Sequence, residues 1–331
     1  MVHDAGVPRL LQISALGATP QAATAYWRSK GQGDACAARY PGTVTIVRPS
    51  LVFAPAGASS QLFLRLAALP WLPLPAAQAQ VQPLHLDDLV AGLAALVVEP
   101  APPPVVAAVG PRPLALADYL RTLGAAMGLR PRITRMPDAA ARLAARCLQR
   151  LPGRWLTPDA LAMLAQGNHA DAAPWQALLG RPARAPAQFV PAAASEALRE
   201  RSVLANLLPL LRLSISLTWL VTAWVSAFVY PRAASLALLE QARVPHALAP
   251  LALYGAAALD AALGVLMWWP RWRVPVYRAQ LALIVLYTLV ITVWLPAYWA
   301  HPYGPLLKNL PMLALIYALL RLEVPRGLRR R

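Results

Sequence analysis

Leu10-Leu11-Gln12-Ile13-Ser14-Ala15-Leu16-Gly17-Ala18, Tyr26-Trp27-Arg28-Ser29-Lys30 and Thr43-Val44-Thr45-Ile46-Val47-Arg48-Pro49-Ser50 follow one another near the start of the chain. The first stretch closes an apolar run, residues 7–13, that is expected to form a buried strand ending at Ser14. The third begins with a β-branched run, residues 43–47, expected to be a second strand leading into Arg48-Pro49-Ser50. Between them residues 23–39 are expected to be a helix, ended by Tyr40-Pro41-Gly42. Tyr26 and Lys30 are four residues apart, so the helix sets them on one face. A phenol has a reference pKa of about 10. A cation one turn away favours its phenolate and brings proton exchange closer to neutral pH. Lys30 is therefore placed to favour the Tyr26 phenolate.

Working outward, strand and helix signals alternate. Residues 61–69, 86–98 and 115–127 are expected helices. Residues 105–109 and 132–135 are expected strands, and further helices fall near 139–151, 158–166 and 174–179. Alternation of this kind indicates an α/β fold with crossover helices. Asp87 and Asp88 fall in the first turn of the 86–98 helix, where a carboxylate favours the positive end of the dipole. His85 and Asp88 are read as structural.

The order strand–Ser14, Tyr26-x-x-x-Lys30, strand–Arg48-Pro49-Ser50 resembles the second half of a short-chain dehydrogenase/reductase nucleotide-binding domain. Ser14-Ala15-Leu16-Gly17-Ala18 resembles the atypical, extended, epimerase-like branch, which also contains non-catalytic members. The resemblance implies a Rossmann-like doubly wound sheet and NAD or NADP as cofactor. It implies Tyr26 as acid/base, Lys30 as activator and ribose ligand, and Ser14 as substrate orienter. Arg48, Pro49 and Ser50 would abut the nicotinamide end. A dinucleotide fold also needs a glycine-rich turn after its first strand, where backbone N–H groups meet the pyrophosphate. No such turn follows a strand here, and Gly31-x-Gly33 lies inside the Tyr-Lys helix. The sheet is thus expected to be incomplete, lacking its first strands and glycine-rich loop. The missing half would lie upstream, come from another chain, or be lost.

The 331 residues are 58% hydrophobic and 14% charged, with mean hydropathy +0.46. That is too apolar for an ordinary soluble protein. The excess lies in four segments, about 207–229, 248–269, 276–295 and 306–322, each near the length that crosses a bilayer. Trp and Tyr gather at their ends, as at membrane interfaces. Arg199 and Arg201, then Arg271, Arg273 and Arg278, then the tail Arg326-Gly327-Leu328-Arg329-Arg330-Arg331 fall at alternate connections. The positive-inside rule places the soluble domain and both termini on the cytoplasmic side of the inner membrane. Arg212, Asp260, Gln280, Lys308 and Asn309 are polar within these segments, and Arg212 either pairs with Asp260 or snorkels to the interface. Trp224-Val225-Ser226-Ala227-Phe228-Val229-Tyr230-Pro231, Leu259-Asp260-Ala261-Ala262-Leu263-Gly264, Tyr298-Trp299-Ala300-His301-Pro302-Tyr303-Gly304-Pro305 and Lys308-Asn309-Leu310-Pro311 together resemble the DoxX-like family of four-helix membrane proteins.

The expected organisation is residues 1–110 as the C-terminal half of a Rossmann-like domain and 111–205 as a smaller α/β lobe and linker. Residues 206–331 would be an all-α four-helix transmembrane domain. The net charge of +17 is dispersed as arginines flanking apolar segments, with no aromatic-basic array. It points to membrane lipid as partner and not to nucleic acid. Cys36 and Cys147 have no metal or redox spacing, and no metal is expected. The combined expectation is a membrane-anchored NAD(P)-dependent oxidoreductase or epimerase-type protein acting on a small, quinone-like, membrane-soluble molecule. The alternative is a non-catalytic membrane protein with a nucleotide-binding or assembly module. Either is compatible with a homo-oligomer.

Overall fold

The computed structural model describes residues 7–148, 157–302 and 304–323. Met1, Tyr303 and the arginine tail lie outside the described residues. The chain forms two compact units, residues 1–205 and 206–331.

Unit 1 is built on a three-stranded parallel sheet. Its strands are β1 (Arg9–Ile13), β2 (Thr43–Pro49) and β7 (Val105–Ala108), with β2 in the centre. Arg9 faces Thr43 and Ile13 faces Val47 in one register, and Ile46 faces Val105 in the other. β2 extends past the expected 43–47 because Arg48 and Pro49 still pair, with Ala107 and Ala108. Its β-branched residues suit a strand with neighbours on both sides, and Val47 is wholly buried. Helix α1 (Ala25–Ala37) makes the crossover from β1 to β2. Thr24 caps it by accepting a hydrogen bond from the Trp27 amide. The longer crossover from β2 to β7 carries β3 (Val52–Phe53), α2 (Ala58–Ala67), β4 (Trp71–Leu74), β5 (Gln80–Val81), β6 (Leu84–His85) and α3 (Leu86–Val98). Parallel strands joined by helical crossovers make this an α/β, Rossmann-like unit.

Beyond β7 come β8 (Leu114–Ala115), α4 (Leu116–Ala126), β9 (Arg132–Arg135), α5 (Asp138–Leu148), α6 (Pro158–Gln166) and α7 (Ala173–Leu179). β4 pairs with β9 and β5 with β8, so segments on either side of residue 110 share one lobe. Phe53, Leu64, Leu72, Leu120 and Phe189 form its core, and a second core joins Val47, Leu89, Leu96 and Trp175.

In unit 2 the first apolar segment belongs to a longer helix than expected. Helix α8 runs Ala192–Trp224, begins within residues 1–205, and continues as a π turn over Val225–Val229. Helix α9 (Arg232–Gln241) fills the first connection. Helices α10 (Ala249–Leu266), α11 (Arg273–Trp294) and α12 (Asn309–Glu323) follow. Among the described residues three stretches are long and apolar enough to cross a membrane: Ala192–Val229, Ala249–Leu266 and Pro270–Trp294. The fourth expected segment is the 15-residue α12, because Leu306, Leu307 and Lys308 lie in turns ahead of it.

Most of the apolar surface of unit 2 faces outward, with Phe228, Leu251 and Val293 well exposed. The interior holds Ile215, Trp219, Met267, Tyr277, Ile284 and Ile316. Arg212 pairs with Glu323 at 2.8 Å and not with Asp260. The Ser216 hydroxyl donates to the Gly264 carbonyl and accepts from the Trp268 indole, while Leu220 packs on Gly264. α8 and α10 therefore run antiparallel, and Arg212 lies beyond Trp268, more than two helical turns along from Asp260. Asp260 is buried, and its Oδ1 has no hydrogen-bond partner among the described residues.

Candidate functional site

Helix α1 carries Tyr26, Lys30 and Asp34 at four-residue steps, one stripe along its surface. Each of the three meets a different environment. Tyr26 is 49% exposed, and its hydroxyl has no partner among the described residues. The Lys30 ammonium donates to the Ile13 carbonyl at the end of β1, at 3.3 Å. Asp34 is 5% exposed and accepts from the Ser14 hydroxyl at 2.8 Å and from Arg48 at 3.3 Å, both on Oδ2. Its Oδ1 and the Arg48 Nε are buried without partners.

Ser14 is buried at the strand end, its amide held by the Val47 carbonyl. Its hydroxyl hydrogen is spent on Asp34, so it presents no free donor beside Tyr26. Pro49 is buried, and its carbonyl accepts from the Leu16 amide. The Ser50 hydroxyl donates to the Gln82 carbonyl, within a network in which Gln82 also bonds Gly110 and Ala170. The proposed cofactor contacts Lys30, Arg48 and Ser50 are thus each bonded within the protein. Asp34 is the residue that sequence reasoning missed. Its signal was present as the next step on the Tyr26–Lys30 face.

At the start of α1 the described residues leave no place for a pyrophosphate. The loop from Ser14 to Thr24 is closed: Gly17, at φ +81°, lies against the Trp27 ring, which a Cβ there would meet at 2.8 Å. The first amide of α1, at Ala25, is capped by the Asp159 carboxylate at 3.4 Å. An acid therefore stands where a helix N-terminus would receive a phosphate. Among the described residues no His, Cys, Asp and Glu cluster could hold a metal ion.

His85 and Asp88 serve the fold. His85 caps α3 by accepting from the Asp87 amide. Asp88 is fully buried and binds Arg181 at 2.6 Å and the Arg184 amide at 2.7 Å. Burial pushes His85 below its ordinary value of 6.5, aided by Arg184 and opposed by Asp87 and Asp88. The unfolded chain therefore takes up this proton before the folded one does. The contribution is full above about pH 6.5 and declines as pH falls below it. Asn also caps helices, so His85→Asn keeps the cap. Urea midpoints followed by circular dichroism should fall between pH of about 7.5 and 5.5 more steeply for wild type than for His85→Asn. Parallel slopes would refute this.

No curated protein sequence matches the chain significantly. Among solved structures, a nucleoside-diphosphate-sugar epimerase from Staphylococcus aureus aligns over 57% of this chain and 66% of its own, at 14% identity and TM-score 0.47. An NADPH-dependent quinone oxidoreductase from Escherichia coli aligns over 57% and 68%, at 17% identity and TM-score 0.47. A UDP-glucuronic acid 4-epimerase from Bacillus cereus, in complex with UDP-glucuronic acid and NAD, aligns over 58% and 62%, at 14% identity and TM-score 0.40. The chain thus spans about two thirds of the length of these structures. Residues 216–317 match the DoxX-like family, and the C-terminal part of this chain carries a DoxX-like domain.

Proposed function

We propose that unit 1 is an acid–base module of the short-chain dehydrogenase/reductase type, held at the inner membrane by a DoxX-like unit. Its substrate would be the carbonyl or hydroxyl group of a membrane-soluble, quinone-like molecule. The observation that carries the reading is the open Tyr26 hydroxyl one turn before Lys30, whose ammonium is steadied by the Ile13 carbonyl. In this reading Tyr26 exchanges a proton with the substrate oxygen, and Lys30 favours the phenolate. A bound NAD or NADP would supply the hydride chemistry. The arginines of alternate connections, Arg199 and Arg201, then Arg271 and Arg273, support a cytoplasmic side for those connections by the positive-inside rule.

The test is NAD(P)H-dependent reduction of a short-chain quinone by the full chain in lipid vesicles. Tyr26→Phe should lower turnover by at least about a hundredfold without changing the circular dichroism spectrum. Equal rates for wild type and variant would sink the acid–base role. A second reading rests on a separate observation, that Ser14, Arg48 and Ser50 are all spent inward. In it unit 1 is a non-catalytic assembly module, and calorimetry would find no NAD or NADP binding.

A further inference from the structure

We infer that the Arg212–Arg273–Glu323 end of unit 2 is a binding site for the phosphate of an anionic lipid. The inference rests on reading unit 2 as membrane-spanning. Glu323, at the end of α12, accepts from Arg212 Nε at 2.8 Å and the Tyr277 hydroxyl at 3.3 Å on Oε1, and from Arg273 at 3.3 Å on Oε2. Two guanidinium groups share one carboxylate, which leaves a net positive charge in a partly buried cluster. Among the described residues most of their N–H donors have no acceptor, and Arg273 Nε is buried with no partner.

A second anion would satisfy these donors, and the described residues of unit 2 place none against them. Unit 2 has three acidic residues by sequence, Glu240, Asp260 and Glu323. Glu240 is bonded to His246, and Asp260 lies about two helical turns back from Trp268. A planar guanidinium fork suits phosphate oxygens better than any neutral acceptor. The surroundings favour a lipid over a soluble phosphate. Trp269, Trp272 and Leu322 are exposed beside the cluster, and Arg271 lies over the Trp272 ring at 5.9 Å. An apolar wall under a cationic rim matches a headgroup with its acyl chains.

The full chain, extracted from membranes, would be exposed to phosphatidylglycerol or phosphatidylcholine in micelles and read by native mass spectrometry. Phosphatidylglycerol should be retained in preference. Arg273→Gln should cut its retention about tenfold, the scale of one lost charged hydrogen-bonding group. Glu323→Gln, which frees both arginines, should keep or raise retention. Arg232→Gln, beyond the far end of α8, should leave it unchanged. Equal retention of the two lipids, unchanged retention in Arg273→Gln, or loss in Glu323→Gln would overturn the site. Displacement of the lipid by millimolar inorganic phosphate would overturn the lipid assignment. Release of the chain from membranes by alkaline carbonate would overturn the spanning reading and the site with it. Retention in the membrane without lipid preference would overturn the site alone.

Discussion

Gly31→Ala should destabilise unit 1 by on the order of 3–4 kcal/mol, although alanine is the better helix former. Two terms compete. Inside a helix, Gly→Ala gains about 1 kcal/mol by restricting the unfolded chain. At Gly31, however, a Cβ would stand 2.1 Å from the Thr19 carbonyl carbon and 2.5 Å from the Pro20 nitrogen. Those atoms are backbone and cannot swing aside as a side-chain tip would. Either α1 lifts from the loop after Ser14 or the loop shifts, and both movements disturb the Ser14–Asp34 contact and the seat of Trp27. Gly33, half a turn further on, is the internal control. A Cβ there meets only the Gln12 amide nitrogen, at 3.3 Å, the end of a flexible side chain. Gly33→Ala should therefore stabilise α1 by about 0.5–1 kcal/mol. Hydrogen exchange of the α1 amides in the full chain reads both changes locally. Loss of protection in Gly31→Ala with a gain in Gly33→Ala is the expected pair of results. Equal effects at the two positions would show that the close approach of loop and helix does not control stability.

The same pair shows what a sequence can and cannot convey. Helix α3 and strand β9 coincide with the residues expected from pattern alone, because caps and apolar periodicity are local signals. The Tyr26–Lys30 face was likewise legible, since four-residue spacing fixes direction on a helix. The need for glycine at position 31 was not. It depends on a loop that folds back onto α1, and nothing in the pattern of Gly31-x-Gly33 separates the two glycines. The partner of Arg212 escaped for a similar reason. Asp260 and Glu323 both lie on apolar helices, and the antiparallel register of α8 and α10, visible only through Ser216, Gly264 and Trp268, decides between them. The commitment of Ser14 to Asp34 also needs β1 and α1 side by side.

That commitment yields the second large effect. Asp34→Ala should cost unit 1 about 3 kcal/mol, against less than about 0.5 kcal/mol for an ordinary surface change. The substitution removes the acceptor of a buried hydroxyl and the counter-ion of Arg48 together. Breaking a buried pair from one side usually costs about 3–5 kcal/mol, because the surviving charge is left without compensation. The lower end applies here, since Arg48 remains about a third exposed and water partly replaces the lost partner. Asp34→Asn separates the two contributions. Its amide oxygen still accepts from Ser14, while the charge facing Arg48 is gone, so the cost should be roughly half that of alanine. In a double-mutant cycle, Arg48→Met should largely erase the difference between Asp34→Asn and wild type. Additivity in that cycle would mean that Asp34 acts through Ser14 alone. Coupling would mean that the carboxylate locks α1 to the end of β2 and so holds Tyr26 and Lys30 in place over the strand ends. A fixed helix of that kind is what acid–base chemistry at Tyr26 requires, because a phenol displaced by an ångström loses most of its advantage.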